Sequence, residues 1–378
     1  MKKLSFFLLL ILVISGSAQN KKFISSIKSG DPKKLEKLSA QSDYQEQLNY
    51  HLVYAVHTFD SSLLDLCIMK GADPLAGCND CFGRDAITVA LYYQNYYAYE
   101  KLKPLYDYKE KSDELGSNIL HAAATCKPNI LKDVIETYHP QFIIGDEGSP
   151  LVYSIRDSLY YMENTKILLD NYGKEKEIMI LNERDADYGT TVLFDATYFN
   201  HFDLVKLLVE FGFSPFTTSI DVSEEDFSAD YVGSPFLASF IHDDHKIYDY
   251  YRTLNYDFGK FKNWQFLENE DETILIEGYE YPVIYSSIAF FICQNTNEEF
   301  VKSIENEFEV DYNVVDFIEY DTPMLFAVAD NNKMMVKRIL DQDWNGLYYK
   351  TALKWSEDKG IDPEIHELLE TYVNQNIK

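Results

Sequence analysis

Two short clusters in the chain carry residue types capable of chemistry. Cys78-Asn79-Asp80-Cys81 sets two thiols at the spacing used by redox sites, by half of a zinc site and by tight disulfides. A redox site of that kind needs a strand running into a helix, whereas this pair sits in a Gly-flanked loop between Gly77 and Gly83. A zinc site needs two further ligands, and neither His121 nor Cys126 supplies a second pair at ligand spacing. The second cluster, His242-Asp243-Asp244-His245, has metal-ligand residue types but falls in a turn, where polar side chains are simply solvated. Metal binding is not expected at either cluster, and no cofactor is predicted. No ordered Ser/His/Asp set, phosphate-binding Gly loop or basic patch stands out. With 62 acidic residues a chance carboxylate pair carries no information.

The amino terminus bears on the cysteines. Lys2 and Lys3 precede an apolar run from Leu4 to Ile14, followed by the small residues Gly16-Ser17-Ala18. This is the pattern of a secretory signal peptide over residues 1–18, too short to span a bilayer comfortably. It predicts an exported, periplasmic or secreted protein of bacterial type, without membrane insertion once the signal is removed. Export to an oxidising compartment favours a structural disulfide at Cys78 and Cys81, either with each other or with Cys126. Cys67 lies in an apolar stripe and reads as a buried thiol.

Charge and composition narrow the partners. The net charge of −28 falls to about −30 without Lys2 and Lys3, which disfavours nucleic acid and favours a partner with a basic patch. Thirty Tyr and 24 Phe are too many for a disordered acidic chain.

The stretch that must organise the rest is Thr190–Pro215. Val192, Leu193, Ala196 and Thr197 share one face of a first helix; Leu204, Val205, Leu207 and Leu208 form the stripe of a second. Asn200-His201 turns the chain between them, and Gly212 closes the second helix in the left-handed conformation. From Thr191 this segment resembles the ankyrin repeat, whose pattern runs T-P-L-H-x-A-A…G-H…I-V-x-L-L-L…G-A-D-P. Further copies begin near Tyr50 (with Gly71-Ala72-Asp73-Pro74 at its turn), Asp85, Asn118, Ser149, Ser234, Tyr281, Thr322 (Thr322-Pro323 intact) and Thr351. Lys21–Ala40, split at Gly30-Asp31-Pro32, reads as an N-terminal cap. The spacing fits a period of about 33 residues with loop insertions of roughly ten, chiefly Gly173–Gly189, Pro215–Gly233 and Asp257–Glu280. The expected fold is therefore all-α, an ankyrin-repeat solenoid of about nine repeats plus a cap over residues 19–378, clearest at 50–74, 118–138, 191–215, 322–340 and 351–369.

The resemblance implies a non-enzymatic scaffold, expected to be monomeric, that binds a protein through its concave face and loop tips. Carried over position by position, it places Phe82, Arg84, Asp85, Glu147, Asp187, Tyr188, Tyr279, Glu280, Tyr320 and Asp321 near tips. It places Tyr92, Tyr93, Tyr198, Phe199 and Phe240 at the ends of inner helices. His121 and His201 take positions where the family carries His, which implies hydrogen bonding within or between turns. An exported enzyme or metal protein using the Cys78/Cys81 pair or the inserted loops is the alternative of a different class. An inhibitor or immunity protein against a secreted toxin is a special case of the scaffold.

Overall fold

The computed structural model describes residues 18–29, 31–77, 83–109, 112–113, 116–145, 148–156, 158–173, 191–215, 234–254, 268–276, 279–284, 288–308, 310–313, 315–316, 322–342, 344, 346, 348–358 and 360–377. Residues 1–17, and with them the apolar leader, lie outside this set.

Among the described residues the helices come in ten successive pairs. They are α1 (Ala18–Ser29) and α2 (Pro32–Ser39), α3 (Tyr44–His57) and α4 (Ser61–Met69), α5 (Ala86–Tyr92) and α6 (Tyr96–Leu102), α7 (Ile119–Ala124) and α8 (Pro128–Tyr138). Then follow α9 (Pro150–Arg156) and α10 (Tyr161–Tyr172), α11 (Val192–Tyr198) and α12 (Phe202–Phe211), and α13 (Pro235–Ala238), which a 3-10 turn over Ser239–Ile241 extends before α14 (Lys246–Thr253). The last three pairs are α15 (Ile288–Ile292) with α16 (Glu298–Glu307), α17 (Pro323–Ala329) with α18 (Lys333–Asp341), and α19 (Tyr349–Ser356) with α20 (Pro363–Asn376).

In several pairs the first helix starts where a short polar side chain caps it. Asp85 accepts from the Thr88 amide, Thr191 from Phe194, Ser234 from Leu237 and Thr322 from Leu325. Pro235 and Pro323 take the first helical position, where a missing N–H costs nothing. The pair then reverses through a residue with positive φ: Phe59 (57°), Gln94 (53°), Asn200 (57°), His245 (39°) or Asn331 (56°). Gly212, at φ 119°, closes α12 with its N–H on the Leu208 and Val209 carbonyls, as the sequence predicts.

The chain divides into two compact units, the first comprising residues 1–146 and 157–172, the second residues 147–156 and 173–378. In the first, α5 packs on α3 and on α7, and α10 packs on α8. Its core includes Leu52, Val56, Leu64, Leu91, Leu102, Leu131 and Val134, with Ala122, Ala123 and Ala124 fully buried where helices approach. In the second, α11 packs on α9 and α13, and α17 packs on α19. Phe236, Phe240 and Tyr251 are buried there beside Val192, Leu193, Ala196, Leu204, Val205 and Leu208, the faces assigned to Thr190–Pro215. Single helix pairs cannot bury such stripes; stacked pairs can.

A three-stranded sheet adds to the all-α array. Strand β1 (Glu268–Ile276) pairs antiparallel with β2 (Tyr279–Ile284), and β2 pairs parallel with β3 (Val315–Asp316). The expectation of a long loop ending at Glu280 and a repeat opening at Tyr281 is corrected accordingly: the helix pair opens at Ile288. The run Thr273-Ile274-Leu275-Ile276 and the β-branched and aromatic residues of Tyr279–Ile284 favour strands over helix.

Candidate protein-binding surface

One hydrogen bond recurs along both stacks. After the inter-helix turn, a buried Asn reaches back to carbonyl groups at the end of the preceding first helix. Asn95 Nδ2 donates to the Val56 carbonyl at 2.8 Å, and Asn164 Nδ2 to those of Ala124 and Cys126, both at 2.8 Å. In the second unit Asn295 Nδ2 donates to Phe240 O at 2.8 Å, and Asn332 Nδ2 to Cys293 O and Asn295 O, again at 2.8 Å. The Oδ1 of Asn95 and Asn332 meanwhile accepts the Ala98 or Met335 amide and caps the next helix. The Asn95 and Asn332 amides therefore each satisfy two helix ends that burial would otherwise leave unpaired. Sequence reading missed this set. Its signal was a polar residue directly after each turn, as in Gln94-Asn95 and Asn331-Asn332.

His242-Asp243-Asp244-His245 has a similar role. His242 Nε2 lies 2.7 Å from the Thr197 carbonyl, and Asp243 takes the Thr296 amide at 2.6 Å together with the Thr296 hydroxyl. Asp244 pairs with Lys246 at 3.1 Å and His245 with Asp249 at 3.0 Å. The turn thus joins the repeats on either side of it. His121 forms a capping box with Asn118 and is fully buried.

The predicted surface residues separate into three groups. Phe82, Glu147, Asp187, Tyr188, Tyr320 and Asp321 lie outside the described residues, as do Cys78 and Cys81. Tyr279 and Glu280 are placed by their backbone alone, opposite Ile276 and Leu275 in the β1–β2 ladder. The others can be compared directly.

In the first unit they are drawn inward. Arg84 Nε donates to Asp113 Oδ2 at 2.6 Å, with the two side chains 15% and 4% exposed, and its guanidinium carbon sits 4.1 Å from the Tyr92 ring centroid. Asp113 also accepts the Ser117 amide at 2.8 Å. Asp85, expected near a tip, is fully buried and accepts the Tyr106 hydroxyl at 2.7 Å; burial, then the Asp85 charge, pushes that phenol well up. A cavity of about 10 Å3, the size of one water, lies among Arg84, Asp85, Tyr106, Asp113 and Ser117. Tyr93 meets the His57 ring edge-on at 4.3 Å, and burial lowers the His57 pKa.

In the second unit two of them are displayed. Tyr198, the last residue of α11, and Phe199, which follows it, are 44% and 43% exposed, their rings edge to face at 5.5 Å. Phe199 stacks on His201 at 6.1 Å, and Tyr198 on Phe194 at 6.1 Å; Phe194 in turn meets Phe291 at 6.5 Å. Beneath them Arg156 grips Asp195 with two bonds, Nε to Oδ2 at 2.7 Å and Nη2 to Oδ1 at 3.0 Å, the Asp195 side chain only 5% exposed. This pair fixes α11 to α9 and so the platform on which the rings stand. Phe240, expected at an inner-helix end, is fully buried, because Phe236, Tyr248, Phe300 and Phe308 surround it.

Cys67, Cys126 and Cys293 are free and fully buried, and burial pushes the Cys67 and Cys126 thiols up to about 12 and the Cys293 thiol far up. Cys126 Sγ donates to the Leu91 carbonyl at 3.2 Å. Thiols of this kind pack as small apolar groups rather than react.

The capped first helix, the left-handed turn and the second helix recur through both units. The fold is a stack of helix pairs, as the resemblance to ankyrin repeats implies. Among solved structures the chain is similar to the human ASB11 ankyrin repeat domain, at 13% identity over 67% of this chain and 96% of that one, with a TM-score of 0.42. No protein-family model and no curated protein sequence matches the chain.

Proposed function

We propose that this chain is a non-enzymatic binding module that holds a protein partner at the inner-helix ends of its second unit. One observation carries the reading. The exposed large apolar side chains of that unit, among its described residues, are Tyr198 and Phe199, adjacent in sequence and in ring contact. Exposed aromatic rings on a rigid, hydrogen-bonded platform are the composition of an interface centre: large contact area at small cost in side-chain entropy. The resemblance to ankyrin repeats would add Asp187, Tyr188 and Tyr320, carried over as loop-tip positions, to this surface.

The net charge of −28 supports a partner with a basic patch, and so an association that weakens as salt rises. The Met-Lys-Lys start and its apolar run support export, with Cys78 and Cys81 joined as a disulfide. Fractionation of cells carrying the tagged full-length chain tests the export; retention in the cytoplasm would count against it. The test of the surface is affinity capture from the native compartment with wild type and with a Tyr198→Ala, Phe199→Ala double variant. Loss of one specific partner from the double variant is expected. Equal recovery of every captured protein would reject Tyr198 and Phe199 as the centre.

A further inference from the structure

The segment between α14 and α15 departs from the helix-pair plan, and it leaves a strand edge open. β1 lies at the margin of the three-stranded sheet and bonds to β2, while β3 meets β2 only at Val283 and Ile284. Among the described residues no strand pairs with the far side of β1. A ribbon of two strands is marginal in water and gains from a third.

Pro282 shows which backbone groups face that edge. It stands opposite Thr273, and antiparallel pairs alternate between those that exchange both N–H···O bonds and those that exchange none. Proline has no N–H to exchange, so Thr273–Pro282 is a pair of the second kind. By alternation Leu275–Glu280 is another, and Ile274–Tyr281 and Ile276–Tyr279 carry the ladder. The N–H and C=O of Thr273 and of Leu275 therefore point away from β2, at the spacing an incoming strand needs.

The sequence of β1 selects among strands. Its first half reads Glu268-Asn269-Glu270-Asp271-Glu272, and the register is interrupted between Glu268 and Thr273. Charges and bulges on an edge keep like strands away. A second copy of β1 brings the same negative charge, whereas a segment bearing Lys or Arg is attracted. Alternation also puts Ile274 and Ile276 on the sheet face of their partners Tyr281 and Tyr279. The matching segment thus alternates apolar residues for that face with cations.

We infer that the open edge of β1 takes up an extended Lys- or Arg-bearing segment of a partner protein as an added strand. The inference does not rest on the Tyr198–Phe199 surface. The probe is a fluorescent octapeptide of alternating Lys and Val, titrated into the full chain at fixed ionic strength and followed by anisotropy. Wild type should bind it saturably, with slowed exchange of the Thr273 and Leu275 amide hydrogens. Leu275→Pro removes an outward N–H and no β1–β2 bond, and should weaken binding tenfold or more; Leu275→Val should leave it unchanged. Protection of the Ile274 and Ile276 amides reports whether the ladder survives in the proline variant. Where it does not, peptides on wild type decide: alternating Lys and Pro, equal in charge, should bind at least tenfold more weakly, and alternating Glu and Val not at all. Equal binding of the Lys-Val and Lys-Pro peptides, equal binding by an intact Leu275→Pro variant, or binding of the Glu-Val peptide overturns the inference. So does a dimer in sedimentation that Leu275→Pro abolishes, which would give the edge to a second copy.

Discussion

Tyr92-Tyr93 and Tyr198-Phe199 occupy the same two positions of their repeats, at the end of a first helix and just before the left-handed turn residue, yet they meet opposite fates. In the first unit Arg84 folds over Tyr92 and His57 of the preceding repeat stands against Tyr93. In the second unit Tyr198 and Phe199 stack mainly on their own helix and turn, and each keeps more than 40% of its surface. A repeat position therefore fixes where a side chain starts, and its neighbours decide whether it becomes core or surface. Aromatic residues are especially sensitive to this, because one guanidinium or imidazole covers most of a ring face.

If the two units differ in surface and share a frame, breaking the frame should cost the same in each. Asn95→Ala and Asn332→Ala each strand buried carbonyls and remove a helix cap, with an expected loss of about 3 kcal/mol in denaturant unfolding. A large cost at Asn332 and a negligible one at Asn95 would break the comparison. Next in size is the cover itself. Arg84→Ala leaves the Asp113 carboxylate, 4% exposed, without its cation and should destabilise by about 2 kcal/mol. It should also expose Tyr92, measurable as increased binding of a hydrophobic dye.

Function should separate the two aromatic pairs. The Tyr198→Ala, Phe199→Ala variant should lose tenfold or more in partner affinity while its stability moves by less than about 1 kcal/mol. Tyr92→Ala should do the reverse. A smaller effect tests the turn: Phe59 sits at φ 57° and is 58% exposed, so Phe59→Gly should relieve strain and stabilise by about 1 kcal/mol. A destabilised glycine variant would instead show that this ring serves the first unit.

The smallest effect concerns acid. Asp133 is partly buried, which raises its pKa, but Lys103 at 2.5 Å and the Tyr99 hydroxyl at 2.5 Å hold it below the usual carboxylate range. A folded pKa below the unfolded value of about 3.9 means that its contribution is complete above that value and is lost as pH falls through the folded one. Asp133→Asn should therefore flatten the acid limb of stability below about pH 4, while wild type keeps the steeper fall.

Much of this architecture was readable in the sequence. The Thr190–Pro215 stripe, the Gly212 cap and the helix break at Asp31-Pro32 follow from local rules of periodicity and capping that need no distant partner. The strands of the inserted segment were misread because an acidic start, Glu268-Asn269-Glu270-Asp271-Glu272, masks the β-branched run behind it. The surface was less legible. Nothing local to Tyr92 says that Arg84 will cover it, and nothing local to Phe240 says that Tyr248, Phe300 and Phe308 will join the nearby Phe236 in enclosing it. The asparagine bonds were missed for the same reason: their acceptors lie a full repeat away.

That distance along the chain has a practical side. Asn95 reaches an acceptor 39 residues back and Asn295 one 55 residues back, and both bonds close at 2.8 Å. The length of chain between consecutive contacts is thus decoupled from the contact itself. A segment of foreign sequence grafted between Leu254 and Glu268 should leave the helix pairs on either side in register, making this stretch the natural place to carry an epitope, a fluorophore or a second recognition loop.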